Sequence, residues 1–245
     1  MNDGPDAAPP PPPRFSTWPP RGSSVSAVTL MREFAALARA SMSPPPFPRG
    51  AARGTGQPVI VVPGFCAPDL STARLRDFFN RQGFAAQTWD CGTNFGPTPA
   101  VMAGLDRQIT ALSAQMGCPV ALVGISLGGT IAREVAKRHP ACIDRVVTLV
   151  SPIRLPVVSP LSPLAEAAAR LWDNEATAAL DRIAEPPPVP LTAIVNPNDG
   201  VVDWRDCMPA PHPGVTVVMV AGAHMSIASN PDALRAVAAA LAQPA

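Results

Sequence analysis

The chain has 245 residues, enough for one well-buried core, and α/β architectures of this length commonly form single domains. A formal net charge of +1 with 15% charged residues gives no broad basic face, which argues against nucleic acid or an anionic membrane as the main partner and leaves a small molecule. Cys66, Cys91, Cys118, Cys142 and Cys207 are odd in number, without CxxC spacing or paired histidines, so neither a zinc site nor a disulfide framework is indicated and the thiols are expected to be reduced.

The opening MNDGPDAAPPPPPRF is acidic and proline-rich where a secretory signal needs a basic patch followed by an apolar run. No stretch approaches the roughly 20 apolar residues of a membrane helix. A cytoplasmic location and no membrane anchor are the default expectations. Residues 1–24 read as a disordered tail, because consecutive prolines favour extended polyproline conformations and cannot bury a core. Residues 25–57 form an N-terminal helix and linker: Leu30, Met31, Phe34 and Leu37 fall at helical spacing from Ser26 to Ala40, and prolines then break the pattern.

From residue 58 to 245 short β-branched runs alternate with helical patterns, the signature of an α/β domain with a mainly parallel sheet covered on both faces. The predicted strands are Val59 to Val62, Phe84 to Trp89, Val120 to Ile125, Val146 to Ser151, Leu191 to Asn196 and Val215 to Val220. Helices are predicted at Ser71 to Gln82, Thr98 to Met116, Ser126 to Arg138 and about Pro231 to Ala242. Residues 151–190 spend about 40 residues between two strands, far above the usual connection length, and hold helical stretches at Leu164 to Trp172 and around Ala176 to Ile183. A small helical cap fits this interval better than a bare loop.

The strongest chemical signal is Gly124, Ile125, Ser126, Leu127, Gly128, directly after the run VALVGI and before IAREVAK. A serine on so sharp a strand-to-helix turn needs nearly absent side chains two residues either side, which Gly124, Gly128 and Gly129 provide. Its hydroxyl is a weak nucleophile and requires a base, for which histidine is suited near neutral pH. Of three histidines, His139 ends the helix that Ser126 begins, roughly 20 Å away at about 1.5 Å per residue. His212 sits between prolines ahead of the last strand, at the wrong end of the sheet. His224, just past VTVVMV, remains.

Asp199 in the turn NPNDG follows LTAIVN at the same carboxyl edge and is the candidate for the acid that orients the imidazole, with Asp203 as competitor. A turn aspartate making only local backbone bonds is the plain alternative for either. For the oxyanion, the donors expected are the N–H of Leu127 and an N–H in the loop Pro63, Gly64, Phe65, Cys66, where Phe65 is preferred to Cys66. Trp89, Asn94 and Phe95 in the segment after the second strand, and Leu155, Leu164 and Trp172 in the cap, are candidate pocket residues, each with simple packing or turn formation as the alternative.

On these motifs residues 58–242 resemble the α/β-hydrolase superfamily, closest in style to small bacterial esterase and lipase-like hydrolases with PGF in the oxyanion loop, WDCGTNFGPT, GxSLGG and DGVV. The resemblance implies a serine hydrolase acting on small esters through an acyl-enzyme, with no cofactor; the small cap makes short to medium acyl chains the expectation, with a longer groove lined by Leu155, Val157, Val158, Leu161, Leu164 and Trp172 as the alternative. Thioesterase, amidase, acyltransferase and cofactor-free peroxidase chemistry use the same apparatus, and a non-catalytic binding protein on this scaffold is the alternative from another class. Two departures stand out: Ile125 occupies the position where many lipases carry histidine, and nothing before Pro58 reads as the hairpin strands that open the sheet in the superfamily.

Overall fold

The computed structural model describes residues 25–154, 157, 159–172 and 182–244. Six strands among them form one all-parallel sheet: Pro58–Val62 (β1), Ala85–Thr88 (β2), Val120–Ile125 (β3), Ile143–Leu149 (β4), Leu191–Val195 (β5) and Val215–Met219 (β6), in the order β2-β1-β3-β4-β5-β6. Helices are Ala27–Met42 (α1), Ala73–Arg81 (α2), Pro99–Met116 (α3), Leu127–Arg138 (α4), Ser162–Ala169 (α5) and Pro231–Leu241 (α6).

Both faces of the sheet are covered, and the period-2 alternation of the strands divides the core between them. Val59, Val61, Ala121, Val123, Val147 and Leu149 pack against Leu75, Phe78 and Phe79 of α2 and Leu234 and Val237 of α6. Ile60, Val62, Leu122 and Val146 point the other way, onto Leu105 and Ile109 of α3 and Ile131 and Val135 of α4. Each fully buried large apolar side chain contributes about 1.5–3 kcal/mol of transfer free energy.

Helix ends follow local chemistry. Thr98 caps α3 through Oγ1, which accepts from the Val101 N–H, with Pro99 in the first turn and Gly117 at φ +66° ending the helix. Asn230 caps α6 by accepting from the Asp232 and Ala233 N–H groups.

Two sequence expectations shift. β4 starts at Ile143 and not Val146, because Arg145, polar in sequence, is buried with its guanidinium on Asp144 and the Ala240 carbonyl. It ends at Leu149, since Val150 turns to φ +47°. α1 forms as expected but packs by a different face: Met31, Phe34 and Leu37 are exposed, while Thr29, Leu30, Glu33, Ala36 and Ala40 turn inward, with Glu33 buried.

In the cap, α5 covers part of the expected helix from Leu164 to Trp172. The second expected cap helix falls mostly outside the described residues, as do Leu155 and the tail. The cap's return is tied to α4, whose Arg133 Nη2 donates to the Glu185 carbonyl (2.9 Å) and whose Lys137 Nζ donates to the Arg182 carbonyl (2.8 Å). Burial lowers the Arg133 guanidinium to about 10.

Candidate active site

From β1 the chain runs to β2 on one side and then returns to β3 on the other, so the loops after β1 and β3 leave the sheet side by side at a topological switch point. Ser126 occupies this edge with φ +51° and ψ −124°, between the end of β3 and the first residue of α4. Its N–H donates to the Leu149 carbonyl (2.8 Å), and its carbonyl accepts from the Gly129 N–H (2.9 Å). Three glycines permit the turn: a Cβ on Gly124 would overlap the Gly129 backbone, one on Gly128 the Pro63 and Val62 carbonyls, and one on Gly129 the Ser151 side chain. Among the described residues the non-glycine positions with positive φ, namely Cys66, Asp90, Ser126 and Val150, each follow one of strands β1 to β4 at its carboxyl end. Strained backbone of this kind clusters at active sites and ligand clamps, which makes this edge the candidate site.

The loop after β1 lies against the serine. A Cβ on Gly64 would sit 3.5 Å from both Ser126 Cβ and the Ile125 carbonyl oxygen. In that loop the Cys66 N–H is already engaged, donating to the Asn94 carbonyl (2.8 Å). The Phe65 N–H and the Leu127 N–H have no acceptor among the described residues; Leu127 opens α4, where N–H groups lack intrahelical partners.

Across β4, the turn after β5 and the turn after β6 meet. Asp199 Oδ2 is 2.7 Å from His224 Nδ1, with Asp199 at 3% and His224 at 6% exposure. Asp199 Oδ1 accepts from the Val201 and Val202 N–H groups at 2.9 and 2.8 Å. Its two oxygens therefore divide the two readings of a turn aspartate: one makes the local backbone bonds, the other holds the imidazole. Asp203 is turned elsewhere, its Oδ1 accepting from the Arg205 N–H (3.0 Å) and lying 3.3 Å from the Arg205 guanidinium. Cys207 packs beneath the acid turn with Val201 and Val202; burial, then Asp199, Asp206 and Asp203, push its thiol well above the ordinary range, so it stays neutral there.

The other histidines lie apart from this cluster. His139 is 2.9 Å from Asp106 at the far end of α4, and exposed His212 precedes β6. Ser126 Oγ makes no hydrogen bond among the described residues, which is common in unliganded sites whose contacts tighten on substrate binding.

The segment after β2 departs from the expected pocket wall. Trp89 is fully buried in the core and donates from Nε1 to the Gly92 carbonyl (3.0 Å). Asn94 is fully buried too and clamps the loop after β1: Nδ2 donates to the Pro63 carbonyl (2.7 Å), the backbone carbonyl accepts from Cys66, and the backbone N–H donates to Ala67. Its Oδ1 accepts from the Gly96 N–H (2.9 Å). Phe95 is 46% exposed, and its carbonyl accepts from Trp172 Nε1 (3.1 Å), which joins the cap to this segment; Gly96 lacks a side chain where the Trp172 ring packs. Leu164 is exposed on α5.

Glu33 of α1 is the contributor that sequence reasoning missed. Its carboxylate accepts from the Gly200 N–H and the Met225 N–H, next to the acid and the histidine. The only hint in the sequence is an acidic residue amid the apolar positions of the N-terminal helix.

Among the described residues no His, Cys, Asp and Glu side chains gather into a metal-binding group, and no helix is long and apolar enough to cross a membrane. The sequence matches no family model and no curated protein. The fold matches many solved structures. A monoacylglycerol lipase from Paleococcus ferrophilus aligns with a TM-score of 0.55 at 18% identity, over 76% of this chain and 94% of its own. A pyrethroid hydrolase aligns at 0.51 and 18% identity, over 77% and 98%. The thioesterase domain from the curacin biosynthetic pathway aligns at 0.51 and 16% identity, over 77% and 93%. The chain has the α/β-hydrolase fold.

Proposed function

We propose that this protein is a serine hydrolase that cleaves carboxylic esters, with Ser126 as nucleophile, His224 as general base and Asp199 as the orienting acid. The observation that carries the reading is the buried Asp199–His224 pair at 2.7 Å, on the same sheet edge as a serine held at φ +51°. With Nδ1–H donated to Asp199, the imidazole keeps its Nε2 lone pair for the serine proton. Ser126 Oγ then attacks the substrate carbonyl, and Nε2 takes the proton. The Leu127 and Phe65 N–H groups, both without an acceptor among the described residues, receive the oxyanion. Collapse expels the alcohol, which takes the proton back from His224. Water, deprotonated by the same nitrogen, then releases the acid from the acyl-enzyme.

Substrates of short to medium acyl chain fit a cap whose described helix, α5, spans only Ser162–Ala169. At about 40 residues the whole interval 151–190 has little chain to devote to an apolar surface that exchanges with a lipid interface on opening. Thioesters, amides and acyl acceptors other than water remain the competing substrates for the same groups.

A panel of nitrophenyl esters and acyl thioesters of graded chain length tests the assignment. Ester turnover should peak at short to medium chains, show no jump when substrate exceeds its solubility, and vanish in Ser126→Ala with the fold retained. A maximum at long chains with interfacial activation would make the protein a lipase. Turnover confined to thioesters would move it to that class, and full activity in Ser126→Ala would end the proposal.

A further inference from the structure

Glu33 is the only buried residue of α1, at 3% exposure, and it lies 167 and 192 residues before the two groups it binds. Oε1 accepts from the Gly200 N–H at 2.9 Å and Oε2 from the Met225 N–H at 3.0 Å. Gly200 directly follows Asp199, and Met225 directly follows His224. One carboxylate thus grips the backbone immediately after both members of the Asp199–His224 pair.

The surroundings are shaped for this grip. Thr29 Oγ1, one turn earlier on α1, shares its single proton between the Ser26 carbonyl (2.8 Å) and the Gly200 carbonyl (3.2 Å), so both polar groups of Gly200 face the same helix. A Cβ on Gly200 would come within 2.9 Å of Glu33 Cγ, 3.0 Å of Glu33 Oε1 and 3.0 Å of the Thr29 carbonyl. Gly200 therefore has its residue type for the approach of α1, not for a positive φ. Met225 lies in the first turn of the short helix His224–Ser229, where an N–H has no partner inside the helix and the carboxylate supplies one.

We propose that Glu33 is a positioning residue: it fixes the spacing of the acid turn against the base turn, and through it the hydrogen bond between Asp199 Oδ2 and His224 Nδ1. α1 is then a working part of the site, although it precedes the first strand of the sheet. The catalytic consequence rests on the triad reading above; the geometric one does not. Glutamine at this position keeps one carbonyl acceptor but turns an amide donor toward the second N–H, so one of the two grips opens while size and helix propensity are preserved.

The test combines Glu33→Gln and Glu33→Asp with Gly200→Ala, which leaves the carboxylate intact and pushes it by its Cβ. The readouts are kcat and KM per fluorophosphonate-titrated site, and the far-downfield Nδ1 proton of His224 by NMR. Expected are a loss of about 10- to 100-fold in kcat for Glu33→Gln with KM changed far less, and weakening or loss of the downfield proton. Gly200→Ala should behave similarly, and Glu33→Asp, which keeps both acceptors, should recover part of the activity. A lowered melting temperature with unchanged kcat and an unchanged downfield proton would overturn the proposal and leave Glu33 a purely structural residue. An inactive wild type whose downfield proton still depends on Glu33 would sink the hydrolase reading and leave the positioning role standing.

Discussion

At Asp199 and Asp203, four positions apart in one turn region, the carboxylates have different work. Asp199 Oδ2 faces His224, whereas Asp203 serves the backbone and guanidinium of Arg205. In Asp199→Asn the amide oxygen can still accept from Val201 and Val202, but the amide donor then meets Nδ1 and favours the wrong imidazole tautomer. Turnover should fall by up to about 10⁴ with little unfolding. Asp203→Asn should keep turnover within about two-fold while destabilising the fold by about 1 kcal/mol, since it weakens buried hydrogen bonds away from the imidazole. Steady-state kinetics and urea unfolding on both variants check the ranking, and the reverse order would move the acid. In the sequence, the place of Ser126 on a sharp strand-to-helix turn was legible because the motif is local and its flanks read plainly as strand and helix. The pairing of His224 with Asp199 was legible because the other two histidines could be placed elsewhere. Glu33 was not, because its partners are set by tertiary docking that no local pattern encodes.

Between residue and fold lies the loop after β1, whose shape is set by the segment after β2. Asn94 joins the two with side-chain and backbone bonds at once, and it reaches the carbonyl of Pro63 beside the donor assigned to the oxyanion. Asn94→Ala would leave the Pro63 carbonyl and the Gly96 N–H without this partner, at a cost of about 1–3 kcal/mol for each group that stays buried and unpaired. The expected outcome is a lower unfolding midpoint together with a kcat loss of about 10-fold or more, because the Phe65 N–H loses its fixed direction. Unaltered kcat in a destabilised variant would remove Phe65 from the oxyanion site. The sequence marked WDCGTNFGPT as a segment of interest, but its role as a clamp depends on which loops share the switch point between β1 and β3. Strand boundaries were recovered closely where apolar runs were uninterrupted, as in β1 and β3. They slipped at β4, where a buried arginine reads as a surface residue.

For the molecule as a whole, the alternation of strands and helices sufficed to give a parallel sheet with two covered faces, since each run is short and each covering helix has one apolar face. What that pattern could not give was the place of α1, whose most apolar residues face outward and whose docked face carries the carboxylate. Two truncations separate the chain before the sheet into its parts. Removing residues 1–24, expected from their prolines to bury little, should leave turnover and melting temperature nearly unchanged. Removing residues 1–43 also takes Thr29 and Glu33 away from Gly200 and Met225, and should lower both sharply. Thermal melts and kinetics on the two proteins decide this; equal behaviour of both would mean that α1 is dispensable.

All of the proposed chemistry depends on one activated hydroxyl. Its most direct test is reaction of the native protein with a fluorophosphonate, followed by peptide mass spectrometry. The reading predicts one label per chain, on Ser126, absent from Ser126→Ala and strongly slowed in His224→Ala. A folded protein that takes no label, or takes it equally without Ser126, would contradict it.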